Sequence, residues 1–192
     1  MFSKTYWHPY LYKFKEKSMN SGIKKSIYSF LIAGTSQHSA DMTSLKVGDR
    51  APQFETVLHD GTQIQLSDYA GKKLILFFYP ADDTPGCTAA ACSLRDAYSE
   101  LSEKGYQMLG VSPDSEKSHD KFIKKFAFPF PLFPDVDQTV MKAYGVWGPR
   151  KWMGREFDGV HRTTFVINEQ GTIEQIFTKV DTKNHARQIL DA

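Results

Sequence analysis

Cys87 and Cys92 are the two cysteines of this 192-residue chain, five positions apart. An apolar run, Leu74-Ile75-Leu76-Phe77-Phe78-Tyr79, leads into Pro80-Ala81-Asp82-Asp83-Thr84-Pro85-Gly86-Cys87. A helical pattern follows, from Ala89 through Leu101. Thr84 reads as the N-cap of that helix and Pro85 as its first residue. Cys87 then falls at the third helical position, where backbone N–H groups have no partner within the helix. Those donors and the helix field favour an anion, so a thiol there is favoured as the thiolate, the attacking form. The Thr84 hydroxyl can cap the helix, or donate to the sulfur or to an oxygen bound beside it. Pro80 ends the strand and shapes one wall of the pocket. Arg162 lies at the start of a late apolar run, Thr163–Asn168. If that run pairs with the Leu74–Tyr79 strand, Arg162 reaches the thiolate. His161 alternates with Arg162 and faces away from it, as a structural residue.

The spacing of the thiols carries a constraint. On an ideal helix five residues give a Cα separation of about 8.6 Å. A disulfide needs less than about 7 Å. In an intact helix the two cysteines are therefore separate thiols, and a bond between them requires the first turns to unwind. Thr88, Ser93 and the alanines at 89–91 are small, which makes unwinding less costly. Two thiols at this spacing supply half a zinc site, so no metal is expected.

The elements that must position these residues can be read in order. Phe54, Thr56 and Leu58 alternate as a short strand, His59–Thr62 is a turn, and Ile64 and Leu66 continue as its hairpin partner. Ser67–Gly71 is a turn or a single helical turn. Lys73–Tyr79 is apolar on both faces, the pattern of a central strand covered by helices on each side. Leu94, Ala97, Tyr98 and Leu101 form one helical stripe closed at Lys104-Gly105. Met108–Val111 is a second buried strand. Ser115 starts a helix with Phe122, Ile123 and Phe126 on its apolar face. Phe128–Pro134 carries three prolines and must be extended or loop. A short helix runs through Val140 and Tyr144. Gly145–Gly159, rich in Gly, Trp, Lys and Arg, reads as a surface loop. Thr163–Asn168 and Ile173–Phe177 are antiparallel strands, and Lys183–Leu190 is a terminal helix. This order gives an α/β, thioredoxin-like fold: a central mixed sheet, helices on both faces and an N-terminal β-hairpin.

The chain is 41% hydrophobic and 14% aromatic with a formal net charge of +2. That suits one folded domain, residues 42–192, and gives no electrostatic case for nucleic acid. Residues 1–41 differ: Lys4, Lys13, Lys15, Lys17, Lys24 and Lys25 face only Glu16 and Asp41. This basic N-terminal extension is expected to be flexible, with Met42 a plausible start for the patterned sequence. Its apolar run, residues 27–34, is far short of the roughly 20 residues that span a bilayer, so no membrane partner is expected. Lys24-Lys25 followed by Ile27–Ala33 has the shape of a weak export signal if Met19 is the start. A cytoplasmic location is the expectation, with export or an organelle as the alternative.

The stretch Pro80–Thr88 with Cys92 closely resembles the active-site motif of the peroxiredoxins, and more narrowly the peroxiredoxin Q, or bacterioferritin comigratory protein, subgroup. Val47–Phe54, Tyr144–Gly148 and Gly159–Ile167 resemble further blocks of that family, and the similarity spans roughly Leu45 to Leu190. The resemblance implies that Cys87 is the peroxidatic cysteine, shielded by Pro80, with Thr84 and Arg162 orienting the peroxide. It implies that Cys92 resolves the Cys87 sulfenic acid as an intramolecular disulfide, reduced in turn by thioredoxin or a similar dithiol protein. No cofactor is implied, and the chain is expected to act as a monomer on small peroxides. A thioredoxin-type oxidoreductase would need Cys-x-x-Cys, which is absent. A redox sensor or holdase using the same thiol is the non-enzymatic alternative.

Overall fold

The computed structural model describes residues 43–152 and 154–192. The expectations for residues 1–41 lie outside these. The elements are β1 (Glu55–Val57), β2 (Gln63–Gln65), a 3-10 turn (Leu66–Tyr69), β3 (Lys73–Phe78), α1 (Pro85–Asp96), α2 (Tyr98–Glu103), β4 (Tyr106–Ser112), α3 (Glu116–Phe126), β5 (Leu132–Pro134), α4 (Thr139–Ala143), β6 (Trp147–Trp152), β7 (Arg155–Val160), β8 (Thr163–Ile167), β9 (Ile173–Phe177) and α5 (His185–Leu190).

The main sheet has the order β5-β4-β3-β8-β9. β3, β4 and β5 are parallel, while β8 and β9 run antiparallel. β3 is the middle strand because its side chains are apolar on both faces. Leu74, Leu76 and Phe78 enter one core with Leu109, Val111, Met141, Tyr144 and Phe165. Ile75, Phe77 and Tyr79 enter the other with Cys87, Leu94, Leu101, Phe122 and Ile189. Alternation along a strand forces this division. α4 covers the first face; α1, α2, α3 and α5 cover the second. β1 and β2 form the expected hairpin, so this is the thioredoxin-like arrangement read from the sequence.

Three segments differ from the sequence reading or refine it. The pattern from Ala89 to Leu101 is two helices, broken at Ala97 (φ −99°, ψ 12°). Ala97 N–H still bonds Ser93 O, and Leu101 N–H still bonds Ala97 O. The apolar stripe therefore stays in phase across the break, and periodicity could not reveal it. The stretch at 145–159 is no loop: β6 and β7 pair antiparallel from Trp147↔Val160 to Trp152↔Arg155. Glu156, Asp158 and Phe157 on β7 are all exposed, so the ribbon lacks the alternation that marks a half-buried strand. Within the proline-rich segment, Leu132–Pro134 is the edge strand β5, a position that tolerates proline.

Gly110 on β4 sits between Phe77 and Leu132, its register partners on β3 and β5. A Cβ there would lie 2.6 Å from both the Phe77 ring and the Leu132 side chain. Both neighbours are buried, so neither has room to move. Gly110→Ala should destabilise the fold by about 1–3 kcal/mol through overpacking. Urea unfolding checks this, and an unchanged midpoint would show that the cores can shift at no cost.

Candidate active site

β3 ends at Phe78, and Tyr79 carries the chain into a loop that reverses through Asp83, a non-glycine residue with φ 54°. Thr84 occupies the N-cap position in extended conformation, with Pro85 as the first residue of α1. Cys87 is therefore in the first turn, as the spacing predicts. It is 2% exposed and a free thiol, as is the half-buried Cys92. Both lie within the unbroken helix α1.

Two side chains converge on the Cys87 sulfur. The Thr84 hydroxyl lies 2.8 Å from Sγ. It makes no capping bond to the helix backbone; its other near neighbour is Ala81 O at 3.2 Å. Arg162 donates from Nη2 to Sγ at 3.1 Å. Arg162 reaches it because β8 pairs antiparallel with β3, with Thr163 opposite Phe78. The residue before Thr163 therefore stands where β3 delivers the loop. Pro80 is half-buried at the start of that loop. His161 turns to the β6–β7 ribbon, its Nε2 lying 3.1 Å from Pro149 O.

Burial, partly offset by Arg95, pushes the Cys92 thiol above its ordinary value. In the folded helix burial thus disfavours the Cys92 thiolate. Among the described residues no three His, Cys, Asp or Glu side chains gather as a metal site needs, and no helix is long and apolar enough to cross a membrane.

Sequence reasoning missed the polar residues beneath the loop and beside Arg162. His119 Nδ1 lies 2.9 Å from Asp82 Oδ2, and the Tyr79 hydroxyl donates to Asp82 Oδ1 at 2.8 Å. His119 stands three residues before Phe122 on the apolar stripe of α3, which was the available signal of its burial. His185 is 1% exposed, with Nε2 2.9 Å from Thr164 Oγ1 and Nδ1 unpartnered. No sequence pattern ties it to the site.

Burial, and then the charge of Arg162, lower the His185 imidazole from 6.5 to about 4. A base lowered in the fold is neutral there but protonated in the unfolded chain between those two values. The unfolded state then binds the extra proton, so stability falls as pH drops from about 6.5 toward about 4. The loss attributable to His185 is of order 3 kcal/mol. The depressed Asp82 carboxyl acts only below its ordinary 3.8, outside this window. Urea midpoints followed across the window should fall steeply in the wild type and less so in His185→Gln. Equal slopes would mean that His185 does not carry the effect.

Comparison with known proteins agrees with this geometry. Residues 47–176 match the model of the AhpC/TSA family. A Haemophilus influenzae protein named for peroxiredoxin Bcp is 47% identical over 150 residues, 78% of this chain and 97% of that protein. Peroxiredoxin Bcp of Escherichia coli K12 is 41% identical over 150 residues, 78% of this chain and 96% of that protein. A solved structure of Xanthomonas campestris peroxiredoxin Q aligns at a TM-score of 0.69 and 34% identity, covering 78% of this chain and 95% of that one. With the same figures aligns a Xanthomonas campestris bacterioferritin comigratory protein described by its alkyl peroxide reduction activity. The chain thus belongs to the AhpC/TSA family as a peroxiredoxin of the Bcp, or peroxiredoxin Q, type, a thiol peroxidase.

Proposed function

We propose that this peroxidase reduces hydrogen peroxide and organic hydroperoxides at Cys87, resolves the product with Cys92, and is recycled by thioredoxin. The observation that carries the reading is the pair of donors on one sulfur: Thr84 Oγ1 at 2.8 Å and Arg162 Nη2 at 3.1 Å. The Cys87 thiolate attacks one peroxide oxygen. The O–O bond breaks, an S–O bond forms, and the leaving oxygen takes a proton to become water or an alcohol. Cys87 is left as the sulfenic acid. Arg162 and Thr84, now on the sulfur, are placed to bind the peroxide oxygens and the charge that grows on the leaving one. Pro80 shields the pocket.

Cys92 then attacks the Cys87 sulfur. An S–S bond forms and the hydroxyl leaves as water. The helix keeps the Cα atoms about 8.6 Å apart, so α1 must unwind over its first turns. Unwinding also takes Cys92 out of the burial that suppresses its ionisation. A thioredoxin dithiol restores both thiols by exchange and is itself oxidised. Peroxide attack and resolution are both within one chain, in keeping with a monomer. The alkyl peroxide activity of the Xanthomonas campestris relative supports organic hydroperoxides as substrates.

Peroxide consumption coupled to thioredoxin and its reductase tests the reading. Cys87→Ser should abolish turnover. Arg162→Ala and Thr84→Val should each slow the first oxidation about a hundredfold, the usual cost of one oxyanion donor.

Resolution is read separately. Oxidation by one equivalent of peroxide should give a monomer carrying a Cys87–Cys92 bond, with helical circular dichroism reduced. Cys92→Ser should keep the first oxidation, lose most thioredoxin-dependent turnover and progress more readily to the sulfinic acid. Persistent turnover in Cys92→Ser, with Cys92 free in the oxidised wild type, would remove its resolving role.

A further inference from the structure

The loop that carries Thr84 rests on side chains the proposed chemistry does not use. The Asp82 side chain is 6% exposed and that of His119 fully buried. Asp82 accepts from the Tyr79 hydroxyl on Oδ1, and its Oδ2 lies 2.9 Å from His119 Nδ1. Its backbone N–H donates to Asp114 Oδ2 at 2.8 Å, and the Ser112 hydroxyl donates to that same oxygen at 2.9 Å. Burial works to raise the Asp82 carboxyl, but the hydrogen bond and charge of His119, with hydrogen bonds from Ser118 and Tyr79, outweigh it and the net shift is downward. Asp82 is therefore a carboxylate, and a carboxylate only accepts. His119 Nδ1 must be the donor.

The other ring nitrogen makes the case sharper. His119 Nε2 is buried and has no partner. An unsatisfied buried polar atom is destabilising. A leucine would fill similar space among Phe122 and Tyr79 without that cost. The imidazole at this position is explained by what Nδ1 holds.

What it holds is two residues from Thr84. Asp82 is fixed on one side of Asp83, whose backbone is in the left-handed region at φ 54°. Pro85 fixes the other side as the first residue of α1. Thr84 has little freedom between them, and an O–H donor loses its bond if it moves by about an ångström.

We propose that Asp82 and His119 are positioning residues for the peroxidase reaction: His119 Nδ1 ties the Asp82 carboxylate to α3 and so holds the Pro80–Thr84 loop where the Thr84 hydroxyl meets Cys87 Sγ. The inference rests on the role given to Thr84 above.

The experiment uses the full chain and two rates at Cys87. Competition for limiting hydrogen peroxide against a reference haem peroxidase gives the rate of the first oxidation. Alkylation by iodoacetamide, read at Cys87 by peptide mass, needs the thiolate and access to it but no oriented hydroxyl. His119→Leu should lower the peroxide rate at least about tenfold, as misplacement of a catalytic group does. It should change alkylation by less than about twofold, a shift too small for a lost reaction contact. His119→Asn places an amide nitrogen near the position of Nδ1 and should regain most of the peroxide rate. In the double variant, His119→Leu should add little to the loss caused by Thr84→Val, because it acts through Thr84.

A peroxide rate that survives His119→Leu, an equal fall in both rates, or no recovery with His119→Asn each overturns the proposal. If Thr84→Val costs rate while His119→Leu does not, the positioning role alone fails. If Thr84→Val costs nothing, the reading of Thr84 fails and this inference with it. Should His119→Leu not fold, Tyr79→Phe removes one hydroxyl from the same carboxylate. It should cost about threefold in peroxide rate, in line with one neutral hydrogen bond, and spare alkylation; no loss there overturns the proposal.

Discussion

The antiparallel register between β3 and β8 is the constraint on which the site depends. It sets Thr163 opposite Phe78, so the residue before β8 meets the chain leaving β3. Arg162 and Cys87 are 75 positions apart in the sequence, and that pairing brings Nη2 to 3.1 Å from Sγ. A slip of one residue would turn the side chains of β8 to the opposite face. It would break the cores on both sides, because Phe165 packs with Leu76 and Val166 with Ile75. The burial that fixes the register thereby fixes the distance from guanidinium to sulfur.

The sulfur is buried, while Arg162 is half-buried and Thr84 is exposed. Cys87 lies in the same apolar cluster as Ile75, Phe77 and Leu94, where the low local dielectric strengthens its contacts with Thr84 and Arg162. The same guanidinium also acts on His185, whose imidazole is neutral through burial and through that charge. One cation thus faces a sulfur that gains from it and a histidine that must yield to it. Packing makes both relations possible, since α5 brings His185 against Thr164 two residues along from Arg162.

Helix α1 meets two demands that pull against each other. Intact, it holds Cys87 Sγ beside the Thr84 hydroxyl and Arg162 and keeps Cys92 at a distance. The proposed disulfide requires it to open. It is tied to the other helices by side-chain hydrogen bonds: Ala186 N–H bonds Ser93 Oγ at 3.1 Å, and Arg95 donates from Nη1 to Phe126 O at 2.8 Å. Of its first seven residues, Cys87, Ala90 and Ala91 are the buried ones. Small side chains remove little apolar area from water, so opening these turns forfeits less than opening a leucine-rich helix would.

Local chemistry was legible in the sequence. Thr84-Pro85 set the start of α1, and that start set the position of Cys87, because capping and proline geometry act over three or four residues. The two-sided apolar run of β3 gave the centre of the sheet, since alternation needs no knowledge of the partner strand. The β6–β7 ribbon stayed hidden because exposed residues on a two-stranded ribbon carry no hydrophobic period. The break at Ala97 stayed hidden because the stripe of Leu94, Tyr98 and Leu101 continues through it. The polar support of the loop was beyond reach for another reason. His119 reads as one more position on the buried face of α3, and Asp82 as a turn residue. Only the tertiary structure brings α3 under the loop and spends a buried imidazole on a carboxylate 37 positions away. Hydrogen bonds between elements depend on where packing sets the backbone, and no spacing within one element encodes that.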